Sequence, residues 1–312
     1  GVDAPIEPIR AFGPRSRRRA AFTALKSRGA VILGFRRAQS HEVIDLAECP
    51  VLLPKLDTVI SGLREVLGRL LPNGEAQILV TSCGNGLDVD ISGAEGRLFA
   101  LTLALARDVQ ALGIIRITNE KELIFSIAAP KLSFAGIELD LPAGAFLQAS
   151  AEAEAAMADI ALAAIGKARK VADLFCGLGA FTFALARKAA VTAVEIDRVL
   201  LAALDAGARR AQGLKPIKTL ARDLMREPLT PNELKPFNAV LFDPPRAGAL
   251  AQAKALAKST ISKIVAVSCN PASFARDARA LIDGGYRLER VVPIDQFVWS
   301  AHVELVAVFT RS

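Results

Sequence analysis

Short, unbroken apolar runs, such as Ala239-Val240-Leu241-Phe242 and Ile264-Val265-Ala266-Val267, recur beyond residue 150. They alternate with longer segments whose apolar positions repeat at helical spacing. The first kind reads as strands buried on both faces and the second as helices packed against them. The predicted order is helix 151–165, strand 170–174, helix 180–188, strand 191–195, helix 198–211, strands 216–220 and 238–242, helix 247–257, strand 263–268 and helix 272–283. Such βαβ alternation implies a parallel sheet covered by helices on both sides. Two closing strands, 286–294 and 302–309, have no helix between them. They are expected to pair as a hairpin and to give the sheet an antiparallel edge.

The first half has a different rhythm. Ala20 to Leu25, a Ser27-Arg28-Gly29 turn and Val31 to Phe35 read as a hairpin, with His41 to Leu46 as a third strand. A helix is predicted after Pro54, carrying Leu56, Val59, Ile60, Leu63, Val66, Leu67 and Leu70 on one face. Strands flank Cys83-Gly84-Asn85-Gly86, and a β pattern resumes over 114–117 and 121–141. The expected organisation is a smaller α+β domain, 1–142, followed by an α/β domain, 143–312.

Composition narrows the class. The chain has 312 residues, enough for two cores, and no apolar stretch approaches the ~20 residues of a membrane span. Four cysteines, at 49, 83, 176 and 269, form no C-x-x-C pair and no disulfide framework, so a reducing, cytoplasmic setting is expected. The net charge is +7, and it is uneven. Between Glu7 and Glu42 there are no acids, while Arg10, Arg15, Arg17, Arg18, Arg19, Lys26, Arg28, Arg36 and Arg37 fall there. A block of this kind suits phosphate contacts along a nucleic acid, or else a solvated basic face.

The candidate chemistry gathers at the ends of the predicted parallel strands, where open α/β sheets bind ligands. Asp173-Leu174-Phe175-Cys176-Gly177-Leu178-Gly179 follows the first of these strands, and Glu195-Ile196-Asp197 ends the next. An acid at that second position suits ribose hydroxyls. The loop lacks the G-x-G-x-x-G spacing that cradles a pyrophosphate, which favours a nucleoside ligand without phosphates over NAD. Asp243-Pro244-Pro245-Arg246 ends a further strand, in a loop stiffened by two prolines. Ser268-Cys269-Asn270-Pro271 ends the next and opens a helix, whose dipole and amides would favour a thiolate. Glu304 lies inside an apolar strand, and a buried carboxylate is costly unless paired or used.

From Phe146 to Phe309 these motifs, in this order, resemble the RNA uridine-C5 methyltransferases of tRNA and 23S ribosomal RNA. Phe146-Leu147-Gln148-Ala149-Ser150 is similar to their F-x-Q-x-N motif, and the closing His302-Val303-Glu304 also matches. The resemblance implies a Rossmann-like class I methyltransferase sheet and S-adenosyl-L-methionine as methyl donor. It further implies Cys269 as nucleophile and Glu304 as base, with Gln148, Phe175, Glu195, Asp223 and Asp243 around the donor. Arg17, Arg18 and Arg19 would hold RNA phosphates. The chain departs from the pattern at Ser150 and Ala180, so no contact is carried to either.

C5 of uracil is a weak nucleophile. Addition of a thiolate to C6 creates an enolate that makes C5 reactive, and a base must later take the C5 proton. The target base must leave its stack to reach such a site. Cys49-Pro50 resembles the last ligand of the [4Fe–4S] cluster that many family members hold, but its three partner cysteines are absent, as is the family's N-terminal barrel. An N-terminally truncated chain is therefore expected, as are a monomeric state and 23S rRNA rather than tRNA as substrate. The rivals are a tRNA methyltransferase and a non-catalytic RNA-binding protein on the same fold, which would need neither Cys269 nor Glu304. A cytosine-C5 enzyme would normally carry a Pro-Cys nucleophile motif, which is absent.

Overall fold

The computed structural model describes residues 4–311. Contacts divide the chain into two units. One comprises residues 13–132 and 140–151; the other comprises 152–312, 133–139 and the residues up to Phe12. The chain thus passes between the units more than once.

The first unit is a seven-stranded sheet in the order Val43–Asp45, Ala30–Arg36, Arg19–Ser27, Gly74–Cys83, Gly86–Ser92, Ile114–Asn119, Glu122–Ser126. Neighbours are antiparallel except the Gly86–Ser92 and Ile114–Asn119 pair. The turn expected at Arg28-Gly29 is a two-residue hairpin closed by Ser27 opposite Ala30, with φ of 51° and 85° at its centre. Two positive φ values in succession match the right-handed twist of the strands. The helix expected after Pro54 is broken into Pro54–Asp57 and Ile60–Leu70. Ile60, Leu63, Val66, Leu67 and Leu70 are buried in the core with Phe22, Leu33 and Ile78.

The second unit carries the alternating pattern. Its sheet runs Ile217–Ala221, Ala190–Glu195, Lys170–Leu174, Ala239–Phe242, Lys263–Ser268, Glu304–Thr310, Arg287–Asp295, Arg10–Ala11. The first five strands are mutually parallel. Helices Ala151–Ala164, Ala180–Leu185, Arg198–Arg210, Leu250–Ala257 and Pro271–Asp283 accompany them. Alternate residues serve two cores. Val171, Val191, Leu241 and Val265 lie in one, and Ala172, Leu174, Val240 and Ile264 in the other. The Rossmann-like reading holds.

The two closing strands pair antiparallel as expected, but the last strand inserts between Lys263–Ser268 and Arg287–Asp295. It opens at Glu304, two residues later than the sequence pattern suggests. His302 instead sits in the preceding loop, its backbone N–H on Ser300 Oγ (3.2 Å) and its ring edge-on to Phe297 (6.1 Å). The Arg287–Asp295 strand would be an open edge without Arg10–Ala11, which pair parallel with Ile294 and Asp295. A two-residue strand has no period to read, so the sequence carried no sign of it.

Candidate active site

The register of the last strand decides the geometry. Ser268 pairs with Leu305 and Ile294 with Glu304, so Cys269 and Glu304 each flank the same rung at the carboxyl end of the parallel strands. Cys269 is partly exposed, whereas Cys49, Cys83 and Cys176 are buried. Asn270 caps the following helix: its side chain accepts from Ala272 N–H (3.0 Å), and its amide donates to the Arg246 carbonyl (3.2 Å). The loops of Cys269 and Asp243 are thereby tied together.

Glu304 is only 4% exposed, and its Oε2 has no hydrogen-bond partner. Burial pushes its carboxyl up to about 7, against a hydrogen bond from Gln296 that lowers it. Asp243 is pushed up to about 8 by burial and by the Glu304, Asp173 and Glu154 carboxylates. The expectation that the helix start favours a Cys269 thiolate needs correction. Burial, then Glu304, then Asp243 raise this thiol, and its backbone hydrogen bond and Arg246 only partly offset them. Loss of solvation around the sulfur, reinforced by the two carboxyl groups beside it, raises the thiol despite its place at a helix start.

Next along the sheet lies the 173–179 turn. Asp173 is fully buried; Oδ2 accepts from Thr182 Oγ1 (2.5 Å), while Oδ1 has no partner. Burial and Glu195 push it up to about 7. Phe175 has φ +63°, an uncommon conformation for a non-glycine residue and one that concentrates at functional sites. Glu195 braces the turn: Oε2 accepts from Gly177 N–H (3.1 Å) and Oε1 from Ile196 and Asp197 N–H (2.8 and 3.1 Å). Asp223 caps its own turn, accepting from Met225 N–H (3.0 Å), and pairs with Arg226 (3.6 Å). Ile196 and Met225, beside these two acids, are exposed hydrophobics.

Cys269, Glu304, Asp243, Phe175, Glu195 and Asp223 thus lie at the same end of one sheet. Gln148 lies in the other unit, buried, with its carbonyl accepting from Arg18 Nε (3.1 Å). For Arg18 the expectation of a phosphate contact needs correction: it is 6% exposed and serves the backbone. Arg17 donates to the Arg19 carbonyl (3.0 Å), and the Arg19 guanidinium covers the Phe146 ring (5.5 Å). Arg15, Arg28 and Arg37 are the exposed cations of the basic block in this unit, together with Arg36. Cys49 is buried with its N–H on Asp57, and among the described residues no cluster of three metal-binding side chains includes it.

Three residues have effects that sequence reasoning did not assign, although Asp173 and Arg246 stand in the motifs quoted above. Gln296 acts on Glu304 from just beyond the strand that pairs with it, Arg246 acts on Cys269, and Asp173 joins the carboxylate group. Only Asp-Pro-Pro-Arg hinted at Arg246. The others are brought near by pairing between strands distant in sequence.

A family profile described as tRNA (Uracil-5-)-methyltransferase matches residues 131–312. An RNA methyltransferase of Brucella suis is 50% identical across the whole chain, which spans 75% of that protein. The 23S rRNA (uracil(1939)-C(5))-methyltransferase RlmD of Aeromonas salmonicida is 33% identical over 99% of the chain and 73% of its own length. Among solved structures, the Pyrococcus abyssi tRNA (uracil-54, C5)-methyltransferase shares the fold, with a TM-score of 0.74 and 21% identity, over 99% of this chain and 79% of that one. By the profile and by these relatives, the chain belongs to the tRNA (uracil-5-)-methyltransferase family.

Proposed function

We propose that this chain methylates C5 of a uridine in RNA, with S-adenosyl-L-methionine as donor, 23S ribosomal RNA as substrate and Cys269 as covalent nucleophile. The observation that carries the reading is the single rung, Ser268 to Leu305, that holds a half-open thiol and a buried carboxyl side by side.

The 173–179 turn suits the donor. Gly177 leaves open space where a side chain would stand. Asp173 Oδ1 is an acceptor in need of a donor. Glu195 keeps one Oε2 lone pair for a ribose hydroxyl, and the exposed Ile196 and Met225 offer apolar surface to a purine. Bound there, adenosylmethionine supplies a methyl group on a sulfonium. Asp223 is assigned to the same ligand, with its Oδ1 on the Met225 N–H and its Oδ2 facing Arg226.

The chain's own groups carry the rest. Cys269 loses its proton to solvent and reacts as the thiolate. The thiolate adds to C6 of the flipped uracil, and the C5=C6 electron pair moves onto O4 as an enolate. After C5 has taken the methyl group, Glu304 removes the C5 proton, the enolate collapses and the C6–S bond breaks. The released thiolate recovers a proton from solvent. Arg17 and Arg19, with the exposed Arg15 and Arg28, are assigned to RNA phosphates. The ribosomal preference draws on the 33% identity to the relative named for 23S rRNA.

The test is methyl transfer from labelled donor to 23S rRNA and to tRNA, both from cells lacking the protein, followed by mapping of 5-methyluridine. Label in 23S rRNA is expected, lost by a factor on the order of 10³ or more in Cys269→Ala. Label in tRNA alone would replace the substrate, and full turnover by Cys269→Ala would remove the nucleophile.

A further inference from the structure

Trp299, the chain's only tryptophan, is 74% exposed. It lies in the loop between Arg287–Asp295 and Glu304–Thr310, five residues before Glu304. Because Ser268 pairs with Leu305, that loop emerges at the same end of the sheet as Cys269. Trp299 has φ +62°, a conformation that a bulky residue adopts only where its surroundings hold it there. The loop is otherwise built to hold its shape. Phe297 N–H donates to Asp295 Oδ1 (3.0 Å), Ser300 N–H to the Phe297 carbonyl (2.9 Å) and His302 N–H to Ser300 Oγ (3.2 Å). The Phe297 and His302 rings meet edge-on within it.

An indole left in water loses the burial that large aromatic groups normally gain, and this one is displayed on a braced loop beside a site that takes a nucleobase. Every base has a π face, and stacking on an exposed aromatic needs no particular hydrogen-bond pattern. We propose that Trp299 is a stacking platform for a base of the substrate RNA next to the flipped uridine, filling the gap left in the stack when the target turns out. This rests on the RNA reading above. The platform is a binding residue for RNA and has no part in holding the methyl donor.

A single tryptophan makes the test direct, because all indole fluorescence reports on residue 299. The probe is a labelled RNA fragment that the protein methylates, alongside the same fragment made abasic on either side of the target uridine. Expected results are quenching of indole emission by the intact fragment and loss of quenching with the abasic one. Trp299→Ala should weaken RNA binding, followed by anisotropy of the label, about 10- to 100-fold. Trp299→Phe should recover most of it, and donor affinity and melting temperature should match wild type. Methylation with unchanged indole emission, or wild-type RNA affinity in Trp299→Ala, overturns the platform and leaves the methyltransferase reading standing. Failure to methylate any uridine-containing RNA overturns both.

Discussion

Three carboxyl groups and a thiol share the reactive end of the second unit, and their titration is a residue-scale property with two opposite consequences. Glu304, near 7, and Asp243, near 8, both titrate well above ordinary carboxylates. The folded protein therefore holds protons that the unfolded chain releases near pH 4, so their contribution to stability is full below pH 4 and is lost as pH rises through 7 to 8. The melting temperature should fall over that interval, and Asp243→Asn should flatten the slope; an unchanged slope would place Asp243 outside the coupled group. Turnover should run the other way. In the mechanism proposed above, Glu304 accepts a proton only when ionised and Cys269 must lose one, so kcat should climb between pH 6 and pH 8. Glu304→Gln keeps the shape of the side chain but cannot take the C5 proton. It should accumulate a protein–RNA adduct that survives denaturing electrophoresis, and a wild-type product yield without adduct would assign the base elsewhere.

Among elements, the capped helix after Cys269 governs how well the thiol is held. Asn270 closes the helix start and also ties down the Arg246 carbonyl. Asn270→Ala should cost about 1 kcal/mol by chemical denaturation and lower kcat, with Asn270→Asp recovering the cap. A variant as stable as wild type would show the cap to be dispensable. The parallel strands and their helices were legible because Ala239 to Phe242 or Ile264 to Val267 leave no other reading, and because glycine and proline mark their ends. The start of the last strand was misplaced by two residues. His302 and Glu304 alternate with apolar neighbours as strand residues do, and nothing local reveals that His302 bonds back to its own loop. The loops bearing Phe175, Glu195, Asp243 and Cys269 were legible as strand ends. The proton affinities were not, because they depend on groups that strand order alone brings together, as with Asp173 beside Asp243. The burial of Arg18 was hidden too: a run of three arginines in extended backbone puts its middle member on the opposite face from the other two.

For the whole molecule, the net charge of +7 should show as salt sensitivity. Affinity for RNA should fall linearly on logarithmic axes as salt rises, while donor affinity stays flat. Replacing exposed Arg28 by glutamine should reduce the slope by roughly 0.7–0.9 for each phosphate it no longer neutralises. An identical slope would remove Arg28 from the interface. The insertion of the closing strand between its two neighbours has a wider consequence. The spacing of sulfur and carboxyl is written into one backbone ladder, so a slip of a single register would turn Glu304 to the far side of the sheet. The loop that carries Trp299 starts and stops on that ladder without contributing to it. Those few residues can be lengthened, shortened or rewritten without moving the register that spaces Cys269 and Glu304, so the proposed RNA contact and the proposed chemistry can change independently.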